Sequence, residues 1–205
     1  MTEKQAIYYE LLVLRCRRGR KSALEELIRM WERPLFYYIR RLVDDEQDAW
    51  QILQETWVKV LRGIKKLREP RKLPAWLYSI ARKTAMSHLR AEYSNRAKLE
   101  EDEKLCDVED DAKNLPFENA EEVHYGLDRI SLPHREIVTL FFLQDLSTKE
   151  IAEVLSIPTG TVKSRLYYAK RALKRVLEEE EQKYEQIEQS ISRKIIGYGN
   201  TQRHS

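Results

Sequence analysis

The stretch from Ser147 to Leu173, STKEIAEVLSIPTGTVKSRLYYAKRAL, constrains this chain more than any other. Ser147 can cap a helix, and Glu150 three residues on completes a capping box. Ile151, Val154 and Leu155 give that short helix an apolar side, and Ala152 is small enough for a second helix to cross closely. Pro158 breaks the pattern, because the residue before a proline is pushed out of the helical region. A second helix then starts at Thr159 or Gly160. Val162, Leu166, Ala169 and Leu173 follow at steps of four, three and four, which is one face of a helix. Lys163, Ser164, Tyr167, Lys170, Arg171 and Lys174 fall on the opposite face. A buried stripe behind a basic, hydrogen-bonding one is what a helix in a DNA major groove requires. Basic amphipathic helices alone are common solvated surfaces. The capped short helix, proline turn and long basic helix in succession read as a helix-turn-helix.

Composition bounds the rest. The length of 205 residues allows two modest domains, and few glycines and prolines with 35% charged residues favour long soluble helices. A net charge of +3 decides little, because the charges are segregated: residues 100–122 carry eleven carboxylates against two lysines, while 62–98 are rich in Lys and Arg. Cys16 and Cys106 are far apart, so reduced thiols and a cytoplasmic location are expected rather than a disulfide framework. The amino terminus lacks the pattern of a signal peptide, and no apolar run approaches a membrane span. His88, His124, His134 and His204 are scattered without a metal-ligand spacing, and no glycine-rich phosphate loop is present. No metal, no cofactor and no enzymatic activity are expected.

The expected fold class is all-α: two small helical domains joined by an acidic flexible linker, the second domain a helix-turn-helix. The first domain covers 1–98. Its first helix runs from about Glu3 to Arg18, with Ile7, Leu11 and Leu14 on one side, and ends at Gly19. Ser22 and Glu25 form a capping box for a second helix with Leu24, Leu27, Ile28 and Trp31 inward, kinked or restarted at Pro34. A third, about Glu46 to Arg62, carries Ile52, Leu53, Trp57, Val58 and Leu61. After an irregular basic stretch, Leu67 to Leu73, Pro74 opens a fourth helix. There Leu77, Ile80, Ala81, Thr84 and Leu89 form the buried side. Trp76, Tyr78, Arg82, Lys83, Ser87, Arg90 and Arg96 leave an aromatic and cationic surface, a mixture suited to single-stranded nucleic acid.

QDAWQILQETWVKV followed by LPAWLYSIARKTAMSHLR resembles the second conserved domain of sigma factors, and LPHREIVTLFFLQDLSTKEIAEVLSIPTGTVKSRLYYAKRALK resembles the fourth. Two such domains joined by a short acidic linker are similar to an extracytoplasmic function (ECF) sigma factor, over about residues 10–177. The resemblance implies that the helix holding Gln54 and Glu55 binds the clamp coiled coil of core RNA polymerase. Gln51 and Trp50 stand there in place of residues that are commonly acidic. It also implies that the loop at Leu67, with Arg71 and Lys72, captures a flipped-out base of the minus-ten element. Trp76, Tyr78, Lys83 and Ser87 join it in contacting minus-ten DNA. Leu67 sits where an aromatic is often found. Lys83 replaces an asparagine, so it can donate to a base edge but not accept. In the second domain, residues 124–177, the resemblance assigns Lys163, Ser164, Arg165, Tyr167, Tyr168 and Arg171 to the minus-thirty-five element.

Residues 99–123 read as the acidic linker, too polar and charged to build a core. Beyond Leu177, residues 178–205 form a helical extension in which Tyr184, Ile187, Ile191 and Ile195 recur at helical spacing. The implied partners are core RNA polymerase, promoter DNA both as duplex and as melted single strand, and an anti-sigma factor, with no membrane insertion of its own. A helix-turn-helix repressor or activator that never joins polymerase, and a partner-binding protein that reads no DNA, are the alternatives. Gln54, Glu55 and the Trp76 helix favour the first reading over the repressor, and the basic face at Lys163 disfavours the partner-only one.

Overall fold

The computed structural model of the chain describes residues 2–94 and 126–200. The segment expected to form the acidic linker, 99–123, lies outside them. The described residues are all-α. Four helices form the amino-terminal unit: α1 (Glu3–Arg17), α2 (Lys21–Arg40), α3 (Glu46–Gly63) and α4 (Leu73–Ser94). Two short 3-10 turns, Ile64–Lys66 and Pro70–Lys72, link α3 to α4. The carboxyl-terminal unit consists of α5 (Leu132–Val138), a five-residue π turn at Thr139–Leu143, α6 (Thr148–Leu155) and the long α7 (Thr159–Asn200).

Local chemistry explains most of these boundaries. Thr2 and Gln5 form a reciprocal capping box at the start of α1. Gly19, at φ +71°, reverses the chain into α2 in the left-handed region that glycine tolerates. The Ser22 box expected there does not form. The turn at Gly19 brings Arg20 to the cap position without a side-chain cap, so the helix starts at Lys21 and already contains Ser22. Nor does Pro34 break α2, which runs unbroken through it. Leu27 and Trp31 before the proline and Leu35, Tyr38 and Ile39 after it enter the same core.

The first helix presents the reverse of its expected face. Ala6, Leu12, Val13 and Cys16 are buried, whereas Ile7, Leu11 and Leu14 are 46%, 56% and 45% exposed. Both sets recur at helical spacing, and α1 packs on α2 and the 3-10 turns through the smaller, flatter set. On α3, Ile52, Leu53 and Trp57 are buried as expected, but Val58 and Leu61 point to solvent.

The two units are not separate bodies. α6 packs on α4, and the buried side chains of both units form one contiguous cluster. Polar contacts cross the same boundary. The Tyr38 hydroxyl donates to Glu136 Oε1 at 2.7 Å, and Arg82 Nε donates to the same oxygen at 2.8 Å. Tyr78 donates its hydroxyl proton to Gln144. Arg41 pairs with Asp128 at 2.6 Å and Lys72 with Glu153 at 3.0 Å.

Candidate nucleic-acid interface

The helix-turn-helix assembles from its sequence signals. Ser147 accepts from the Glu150 amide while the Glu150 carboxylate accepts from the Ser147 amide, so two orphan donors of α6 are satisfied. Ser156 closes the helix in the left-handed conformation, φ 58° and ψ 42°, and Pro158 precedes α7. Val162, Leu166, Ala169 and Leu173 are all buried. The opposite face is graded. Lys163 and Arg171 are exposed, Tyr168 is 36% exposed, and Ser164, Arg165 and Tyr167 are half-buried. The Tyr167 and Tyr168 rings meet edge to face with centroids 5.4 Å apart, and the Arg171 guanidinium lies 5.7 Å from the Tyr167 ring centre. Ser164 donates its hydroxyl proton to the Thr161 carbonyl at 3.2 Å, which leaves its oxygen free to accept.

One expected member of this face belongs to the core. Lys170 is 8% exposed, with its ammonium 5.5 Å and 5.2 Å from the Phe141 and Phe142 ring centres. The π turn carries both rings, and their faces stabilise the cation where water is excluded.

The second candidate surface lies on α4 and the turns before it. Lys83 and Ser87 are exposed. Trp76 is half-buried and packs so closely over Gly63 that a Cβ there would sit 3.0 Å from its ring. A cleft of ≈ 340 Å3 opens beside it, lined by Leu67, Glu69, Lys72, Trp76 and Ser79, with Glu153 of α6 on its wall. Leu67 itself is buried, and its carbonyl accepts from Arg17. Tyr78 is 1% exposed, so its ring faces α2 and the carboxyl-terminal unit rather than solvent. Burial and the nearby Tyr9 raise its pKa, keeping it a neutral donor. Arg71 pairs with Glu10 at 2.7 Å and with Glu3 at 3.1 Å, while Lys72 pairs with Glu153 and with Glu69 at 3.4 Å. Burial alone would lower the Arg82 pKa, but the Glu136 carboxylate more than reverses that.

A third surface is the outer face of α3. Gln51, Gln54 and Glu55 are exposed there, with Glu55 3.9 Å from Lys59. Val58 and Leu61 continue the same face at helical spacing and turn it from purely polar to mixed. Trp50, one turn before Gln54 on the same side of α3, stacks on Phe36 with centroids 4.1 Å apart.

The family model "Sigma-70 region 2" matches residues 27–94, and "Sigma-70, region 4" matches 121–173. RNA polymerase sigma-H factor of Pseudomonas aeruginosa is 30% identical over 82% of this chain and 92% of that protein. The ECF RNA polymerase sigma-E factor of Haemophilus influenzae is likewise 30% identical, over 80% and 92%. The chain belongs to the ECF sigma factors of the sigma-70 family. Its fold is also that of two solved chains. One is CnrH in complex with the cytosolic domain of CnrY, 19% identical with a TM-score of 0.59 over 82% of this chain and 96% of that one. The other is RpoE from Bartonella quintana in complex with the anti-sigma factor NepR, 20% identical with a TM-score of 0.59 over 75% and 96%.

Within this sigma factor, region 2 holds the α3 face and the α4 surface, and region 4 holds the helix-turn-helix. The residues that join them, Tyr38, Glu136 and Gln144, escape a sequence reading, because their partners lie 98, 54 and 66 residues away. Glu136 carried one signal: it precedes Ile137 and falls one turn before Leu140, on the buried side of its helix.

Proposed function

We propose that this sigma factor directs core RNA polymerase to two-part promoters and starts their melting, without catalysis of its own and from the cytoplasm. One observation supports this most strongly: the first part of α7 buries Val162, Leu166, Ala169 and Leu173 while Lys163, Tyr168 and Arg171 remain open to solvent. In this reading Lys163, Arg165 and Arg171 meet phosphates of the minus-thirty-five element, and Ser164, Tyr167 and Tyr168 meet base edges. Gln51, Gln54 and Glu55 dock on the polymerase clamp, with Val58 and Leu61 adding apolar area to an otherwise weak polar contact. The cleft at Leu67 and Trp76, with Arg71 and Lys72 of the turn before α4 and the exposed Lys83 and Ser87 of α4, receives the minus-ten strand, while the buried Tyr78 supports that helix from within. Flipping a base costs a few kcal/mol, and the cleft and cations must offset that. An anti-sigma factor is the expected regulator, a reading supported by the NepR complex of the similarly folded RpoE.

Run-off transcription with core polymerase on fragmented host DNA, with and without the protein, tests this reading. Discrete new transcripts sharing two upstream motifs are expected, and Glu55→Arg should abolish them. DNA binding with no core-dependent transcript overturns it in favour of a repressor or activator.

A further inference from the structure

α1 lies outside the segment that matches region 2, residues 27–94, yet it packs on both 3-10 turns of the loop at the Trp76 cleft. Glu3, Glu10 and Arg17 follow one another at steps of seven, so they fall almost in line along the helix. Each of the three reaches that loop. Glu10 Oε1 accepts from Arg71 Nε at 2.7 Å, and Glu3 Oε1 lies 3.1 Å from another nitrogen of the same guanidinium. Arg17 donates to the Leu67 carbonyl at the other end of the loop. Two carboxylates on one cation leave it no surplus charge to offer a phosphate. They do fix its direction, because a guanidinium is planar and its donors form a rigid fork. Leu67, Glu69 and Lys72, which line the cleft, are thereby carried on a backbone tied to α1 at both ends.

We propose that α1 is a clamp on the minus-ten loop: Glu3, Glu10 and Arg17 are positioning residues that set which base the cleft at Leu67 and Trp76 accepts, without touching DNA themselves. The inference rests on the promoter reading above, and it makes Arg71 the tether of the loop. The loop's backbone supplies little order of its own. Its turns are closed by the Lys72 amide on the Glu69 carbonyl at 3.0 Å and the Leu67 amide on the Ile64 carbonyl at 3.4 Å. A flipped base is selected by the shape and edges of the pocket that receives it, so a loop free to move would accept more than one. Glu3 and Arg71 are exposed and Glu10 is half-buried, and pairs of that kind add little to global stability. Their effect is local: they bias one loop conformation over others, and a bias of about fivefold lies within the reach of two such pairs.

The test uses the full chain. Glu3→Gln with Glu10→Gln removes the charges and keeps the shape. In the free protein, hydrogen exchange at the Lys72 amide should quicken about fivefold while the melting temperature stays unchanged. In core-dependent transcription from promoters randomised across the minus-ten element, preference at one position should fall about fivefold, with minus-thirty-five preference untouched. Arg71→Glu alone should act in the same direction, and Arg71→Glu with Glu3→Gln and Glu10→Arg, which restores one pair in reverse, should recover both readouts. Were Arg71 only a phosphate contact, the two Gln substitutions would raise transcription from every promoter alike and the reversed pair would rescue nothing; either result overturns the proposal. An unchanged exchange rate at Lys72 overturns it as well. The exchange measurement needs neither polymerase nor promoter. Quickened exchange in a protein whose wild type yields no core-dependent transcript keeps the clamp and overturns the promoter reading instead, and with it the role in base choice.

Discussion

Tyr38 is the residue on which the two regions meet most tightly. Burial, then the adjacent Glu136 carboxylate, raises its pKa well above the ordinary tyrosine value. In the unfolded chain that proton leaves at about pH 10. Above that pH the unfolded state binds fewer protons than the folded one, so stability falls as pH rises. Thermal melts from pH 9 to 11 should show a steep loss in the wild type and a shallower one in Tyr38→Phe. The proposed recognition face allows a second comparison among single residues. Arg171→Ala should weaken binding to every promoter alike and reduce the slope of log K against log salt by about 0.9. Ser164→Ala, which removes an acceptor whose own proton is already used, should relax preference at one base pair by about 1–3 kcal/mol with the salt slope unchanged. Binding titrations across salt and across single-base variants distinguish the two roles.

Among the elements, α1 shows how a helix with two apolar stripes chooses one. Leu11 and Leu12 are neighbours in sequence, yet Leu11 is exposed and Leu12 is 1% exposed. Leu12→Ala should cost about 2–5 kcal/mol, whereas Leu11→Ser should stay within about 0.5 kcal/mol, both read from denaturant midpoints. The long α7 divides in the same manner along its length. Its first part is fixed by Val162 through Leu173, and Arg129 pairs with Glu180 at 3.3 Å near the end of that contact. Farther on, Tyr184 and Ile191 are 68% and 53% exposed. Ending the chain after Glu181 should therefore leave the melting temperature of the remainder unchanged, as a calorimetric scan would register.

At the scale of the whole molecule, the continuity of the core across regions 2 and 4 has a thermodynamic consequence. Two bodies that share buried leucines and a desolvated acid unfold together, because neither can open without exposing the other's surface. The wild type should give a single calorimetric transition. Glu136→Gln with Glu153→Gln should split it in two, since the apolar contact then lacks the pairs that hold its register. How well the site could be read follows the same division. Lys163, Arg171, Gln54 and Glu55 were legible as exposed residues because a single helix's periodicity decides their face. Lys170 was not: its burial depends on two phenylalanines that a π turn brings beside it. Tyr78 was not either, because what covers it comes from a segment 66 residues away.

Sequence alone determined the helices, the capped turn between α6 and α7, and the family, for these rest on near-neighbour rules: periodicity, caps, and motifs in order. Tertiary structure decided which of two apolar stripes α1 would bury, whether Pro34 would end a helix, and that Glu136 would meet Arg82. Those outcomes depend on comparing the free energies of whole packings. A residue's own neighbours in the chain carry no information about what arrives from the far side of the molecule to cover it.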